Sequence, residues 1–125
     1  MQKIRLAVNG TLMRGLDLNG NLIEAGAEFL RETKTAPAYR MWSIDGNYPA
    51  MQKVTAGGAS LTVEVWELTN DALIDVLRKE PPGLCIGLIR LKDGDQVLGV
   101  LGEAWICEGK DEITAHGGWR EYVSF

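Results

Sequence analysis

Residues 60–83 leave the chain few ways to fold. Leu61, Val63 and Val65 alternate with Ser60, Thr62 and Glu64, the period of a half-buried strand. Thr69 or Asn70 can then accept from the free N–H groups of a first helical turn, and Asp71 suits its positive end. Leu73, Ile74, Val76 and Leu77 fall on one helical face. Pro81 disfavours the helical region for the residue before it, so the helix must end at or before Glu80. A strand, a capped helix and an abrupt stop follow one another in two dozen residues, and the stop holds Glu80 at a fixed place.

The rest reads as short strands joined by turns. Residues 3–8 form a first strand with Ile4, Leu6 and Val8 on one face. Residues 28–35 and 39–44 form two more, separated by Ala36-Pro37. Asp45-Gly46 is a hairpin signal, and Tyr48-Pro49-Ala50-Met51 begins the return. Residues 85–91 and 96–103 flank Lys92-Asp93-Gly94-Asp95, a second hairpin. Val97 to Leu101 is apolar on both faces apart from Gly99, so it reads as a central strand, with Trp105-Ile106 as an extension. Residues 16–23 suit a short helix or an irregular excursion equally. Trp119, Tyr122 and Val123 suit a short amphipathic turn. The expected architecture is α+β, mainly antiparallel, with the sheet able to close into a barrel.

The 125 residues are enough for one domain with a real core. The net charge of −4, with no basic cluster, argues against nucleic acid and against an anionic membrane surface. No apolar run is long enough to span a bilayer, and Met1-Gln2-Lys3-Ile4-Arg5 has no leader-like pattern. Cys85 and Cys107 lack metal-type or disulfide-framework spacing, and read as buried thiols of a reducing cytoplasm. A single histidine leaves no metal-ligand set, and no cofactor is expected.

Candidate chemistry gathers at two places. Asn9-Gly10-Thr11-Leu12-Met13-Arg14 follows the first strand, where a glycine-containing turn can present backbone N–H groups to an anion or a carbonyl oxygen. Glu80 can serve as a general acid/base if burial brings its pKa near ambient pH. Arg14 could clamp a carboxylate, and His116, beside Gly117-Gly118, could be a second proton carrier. Against these stand plainer readings: an ordinary turn, a solvated helix end, a solvated arginine and a surface histidine. Glu64 and Glu67 read as strand-face charges, and the four tryptophans as core and pocket wall.

Asn9-Gly10-Thr11-Leu12 resembles the Tyr-Gly-Ser-Leu loop of the gamma-glutamylcyclotransferase superfamily. Val65-Trp66-Glu67-Leu68, with the helix ending at Glu80, resembles its strand–helix–acid segment. Over nearly the whole chain the sequence is closer still to the allophanate hydrolase C-terminal domain. That similarity is carried by Ala25-Gly26-Ala27-Glu28-Phe29, Tyr39-Arg40-Met41-Trp42-Ser43-Ile44, Gly57-Gly58, Leu84-Cys85-Ile86-Gly87 and the run from Asp111 to Arg120.

The resemblance implies a single domain over residues 1–125: a small, mainly antiparallel β-barrel with flanking short helices and a pocket at one end. It also implies a role in nitrogen metabolism. In cyclotransferases the loop cradles the substrate and the glutamate is the base that lets an α-amine release 5-oxoproline. Here Asn9 replaces the usual tyrosine, which argues against a gamma-glutamyl substrate. Three readings are carried forward. In one, the protein acts on or binds a small anionic amide, carbamate or amino-acid derivative, with Glu80 and His116 as catalytic groups and Asn9, Gly10, Thr11, Leu12 and Arg14 binding substrate. In a second, it is a non-catalytic module that partners an amidase or self-associates. A true gamma-glutamylcyclotransferase is the third.

Overall fold

The computed structural model describes residues 2–124. Its elements in chain order are β1 (Lys3–Val8), α1 (Asn19–Glu24), β2 (Glu28–Lys34), β3 (Tyr39–Ile44), β4 (Tyr48–Lys53), β5 (Thr62–Thr69), α2 (Asn70–Arg78), β6 (Leu84–Arg90), β7 (Gln96–Gly102), α3 (Ala104–Cys107), β8 (Asp111–Glu112), a 3-10 turn at Thr114–His116 and α4 (Trp119–Val123). The class is α+β, as the pattern of alternation predicts.

Five strands form one sheet in the order β2-β5-β1-β7-β6, and β4-β3-β8 form a second. β1 lies antiparallel to β5 and parallel to β7. The larger sheet is not a closed ladder, but it curls until its two edges meet at one corner. There Thr35 bridges Leu91, the Ala36 N–H donates to the Arg90 carbonyl at 2.9 Å, and the Lys92 N–H donates to the Lys34 carbonyl at 2.9 Å. Arg31 reaches from β2 to Asp93 at 2.9 Å across the same seam. These bonds cover backbone groups that an open edge would leave unpaired. The word barrel therefore fits the curvature better than the hydrogen bonding.

The main core lies inside this curl, with Leu6, Val8, Met13, Leu22, Met41, Met51, Leu61, Val63, Leu68, Ile89 and Leu91 buried in it. A smaller cluster of Ile44, Ala50, Ile106 and Cys107 fastens the second sheet to α3. The two sheets press closely where β7 ends, since a Cβ on Gly102 would stand 2.6 Å from that of Ala50.

Local signals explain most boundaries. The side chain of Thr69 caps α2 by accepting from the Ala72 N–H at 3.1 Å, with Asp71 in the first turn. Asp45 and Gly46 both have positive φ, 55° and 77°, the backbone a tight hairpin demands. Trp105-Ile106, expected to extend β7, instead lies in α3. The β6–β7 ladder runs out at the Leu84–Gly102 pair, and the Glu103 N–H turns aside to the Gly83 carbonyl at 2.8 Å. Trp105 is accordingly exposed rather than core, and Cys85 is only partly buried while Cys107 is buried. Among the described residues no helix is long and apolar enough to cross a membrane.

Candidate functional site

β1 ends at Val8 under the parallel edge of β7, and the chain turns sharply out of the sheet. Asn9 is buried, and its side-chain N–H donates to the Val100 carbonyl at 2.8 Å, which ties the exit of β1 to β7. The carbonyls of the following residues are all occupied. Gly10 accepts from the Met13 N–H at 3.0 Å, Thr11 from the Leu18 N–H at 2.9 Å, and Leu12 from the Asn19 side-chain amide at 2.8 Å. The N–H groups of Gly10, Thr11 and Leu12 donate to no partner among the described residues. A turn with its carbonyls engaged and consecutive N–H groups left over is the arrangement that receives anions and carbonyl oxygens.

These residues line a small cavity of about 20 Å3 together with Val8, Tyr48, Pro49, Glu80, Leu84 and Val100. Glu80 arrives from the far side. α2 closes with the Lys79 N–H on Val76 and the Glu80 N–H on Leu77, both at 3.1 Å, and Pro81 prevents a further turn. The side chain is thereby left among Val8, Leu84 and Val100 instead of on a solvated helix face. Burial penalises its charged form and pushes its pKa up from 4.5 to about 7. Among the described residues no lysine or arginine lines the pocket, so no full positive charge offsets a carboxylate there.

Five of the residues singled out from the sequence thus stand around one cavity: Asn9, Gly10, Thr11, Leu12 and Glu80. Two do not. Arg14 is drawn away by Glu64, to which it donates from its backbone N–H at 2.9 Å and from Nε at 3.1 Å, and its guanidinium lies 3.8 Å over the Phe29 ring. His116 packs edge-on against Tyr122, with ring centroids 5.1 Å apart, and does not line the pocket. Glu64, read as a strand-face charge, is fully buried.

Tyr48 and Pro49 complete the wall and were not among the candidates. Their only signal was position, immediately after the Asp45-Gly46 turn, and pairing through β3 brings them to the loop. Tyr48 supplies an aromatic wall that Asn9 cannot.

The curled sheet with its flanking short helices has the fold of the gamma-glutamylcyclotransferase-like class. A gamma-glutamyl cyclotransferase shares the fold alone, at 9% identity and a TM-score of 0.53, over 89% of this chain and 70% of that one. Within the class the chain belongs to the allophanate hydrolase C-terminal domain family, which matches residues 4–124. A uropathogenic E. coli-specific protein superposes with a TM-score of 0.97 at 50% identity, over 99% of this chain and 98% of that one. The urea amidolyase of Saccharomyces cerevisiae is 28% identical over 131 residues, covering 95% of this chain. The chain spans only 7% of that enzyme's length, so in that relative the homologous region is a small part of a nitrogen-metabolism enzyme.

Proposed function

We propose that the protein binds a small anionic amide, carbamate or amino-acid derivative of nitrogen metabolism in this pocket, with Glu80 as its general acid/base. The observation that carries the reading is that the half-buried Glu80 carboxyl and the loop residues with unpartnered N–H groups line one small cavity. With Glu80 protonated the wall is uncharged, and the Gly10, Thr11 and Leu12 N–H groups supply the attraction for a carboxylate or a carbonyl oxygen. The cavity, about 20 Å3, is little larger than the space one water needs, so the ligand is small and its binding requires the wall to open.

A carbamate illustrates the chemistry. Loss of CO2 breaks the C–N bond and leaves the electron pair on nitrogen, which must take up a proton. The Glu80 carboxyl gives that proton and regains one from solvent, and a group with a pKa near neutrality does so with least penalty. The same carboxyl could instead accept a proton from an attacking amine.

The test is ligand-dependent melting of the purified protein with allophanate, biuret, carbamate analogues, gamma-glutamyl amines and 5-oxoproline, repeated with Glu80→Gln. A stabilising ligand whose effect depends on Glu80 supports the reading. No shift from any of them rejects it in favour of the second reading, a non-catalytic module that partners an amidase. The observation favouring that alternative is the small share of the urea amidolyase that the chain spans.

A further inference from the structure

We propose that Glu64 is a positioning residue for the pocket loop, and that through Arg120 it couples the loop to the C-terminal helix α4. This inference concerns the pocket of the preceding section and rests on its being a binding site.

Glu64 lies in the middle of β5 with its side chain fully buried. A buried carboxylate is tolerated only where donors surround it, and here they converge from three parts of the chain. Oε1 accepts from the Arg14 backbone N–H at 2.9 Å and the Trp66 indole N–H at 3.2 Å. Oε2 accepts from Arg14 Nε at 3.1 Å and from an Arg120 terminal nitrogen at 3.0 Å. That same Arg120 nitrogen donates to the Arg14 carbonyl at 2.9 Å. Arg14 is therefore held by its N–H, its carbonyl and its side chain together.

The Arg14 backbone follows directly on the turn that the Met13 N–H closes onto the Gly10 carbonyl at 3.0 Å. Fixing Arg14 fixes the C-terminal end of that turn, as the Asn9 bond to Val100 fixes its start. The segment between the two anchors is Gly10, Thr11 and Leu12, the residues whose N–H groups face no protein partner. Glu64 does not line the pocket, so it acts on a ligand only through the loop. Arg120 in α4 is the exposed end of the latch, and the packing of Trp119 and Tyr122 carries it into place.

The test follows amide exchange residue by residue in Arg120→Ala and Glu64→Ala. Arg120 is partly exposed, and without it Glu64 keeps the Arg14 and Trp66 donors, so Arg120→Ala is the milder variant and serves where Glu64→Ala fails to fold. The latch predicts exchange at the hydrogen-bonded Met13 and Leu18 amides, which close onto the Gly10 and Thr11 carbonyls, at least tenfold faster in Arg120→Ala, with the protected amides of α2 unchanged. Acceleration in parallel throughout the chain, or no change at the loop, overturns it, because either means that these residues only support the fold. An allophanate titration then separates the two readings. Wild-type protein that fails to bind allophanate counts against the proposed ligand while the exchange result stands. Binding by wild type with several-fold weaker affinity in Arg120→Ala supports the coupling, and equal affinity overturns it.

Discussion

Gly10 and Pro49 touch so closely that a Cβ added to Gly10 would lie 2.6 Å from the proline Cδ and 2.8 Å from Cγ. The demand here is for space, since Gly10 does not have a positive φ. Pro49 is paired with Ser43 in β4 and cannot swing aside as a long side chain could. Gly10→Ala must displace the loop or β4, a small overpacking that costs about 1–3 kcal/mol. Urea unfolding should show that loss, and any ligand that stabilises the wild-type pocket should bind more weakly to the variant.

Asn9 fills a different need. Its side-chain N–H serves the Val100 carbonyl at 2.8 Å and lies 3.8 Å from the Met51 sulfur. Asn9→Ala would strand that buried carbonyl, a loss of about 1–3 kcal/mol. Asn9→Asp should be worse at neutral pH, because it brings a carboxylate against a carbonyl where a donor stood. Equal stability of the two variants at neutral pH would contradict this account of Asn9.

Asn9 also marks where sequence reading stops. Local chemistry made the Thr69 cap, the Asp45-Gly46 turn and the Pro81 stop readable, because each depends on residues a few positions apart. The position of Glu80 was readable for the same reason. The company it keeps was not, since Tyr48, Val100 and the 9–12 loop reach it through strand pairings between distant segments.

Glu64 shows the same limit from the other side. Alternation along β5 suggested one wet face, yet the strand is buried through Trp66 because both faces are covered. What covers Glu64 is Arg14, 50 positions away, and Arg120, 56 positions away. Two arginines at such separations look like solvated charges in a linear reading. Trp105 failed for a related reason: nothing in Val97–Trp105 announces that β6 runs out of partners at Leu84.

The raised pKa of Glu80 fixes how stability varies with pH. The unfolded chain releases this proton near 4.5 and the folded protein near 7. Between those values the folded state holds the extra proton, so its contribution to stability falls as pH rises and levels off above about 7. Glu80→Gln carries no titrating proton and escapes the penalty. Its advantage over wild type should be absent at pH 4 and reach on the order of 2 kcal/mol by pH 8, allowing for partial solvent screening. Denaturation midpoints across that range measure it, and a constant difference would mean that Glu80 titrates normally.

The same proton should govern ligand binding. Below pH 7 the pocket offers a neutral Glu80 and the loop N–H groups, and an anion enters without meeting a like charge. Above pH 7 the carboxylate forms with no cation among the lining residues to offset it. Affinity for an anionic ligand such as allophanate should therefore fall about tenfold for each pH unit above the pKa, until binding no longer depends on the protonated form. In Glu80→Gln the affinity should stay flat over the same range, because the amide is neutral throughout. A ligand needing the carboxylate as base, such as a gamma-glutamyl amine, would give the opposite slope in turnover, rising toward pH 8 and lost entirely in Glu80→Gln. Isothermal titration with allophanate at pH 6, 7 and 8, paired with turnover assays on a gamma-glutamyl amine, separates a pocket that receives anions from one that removes protons.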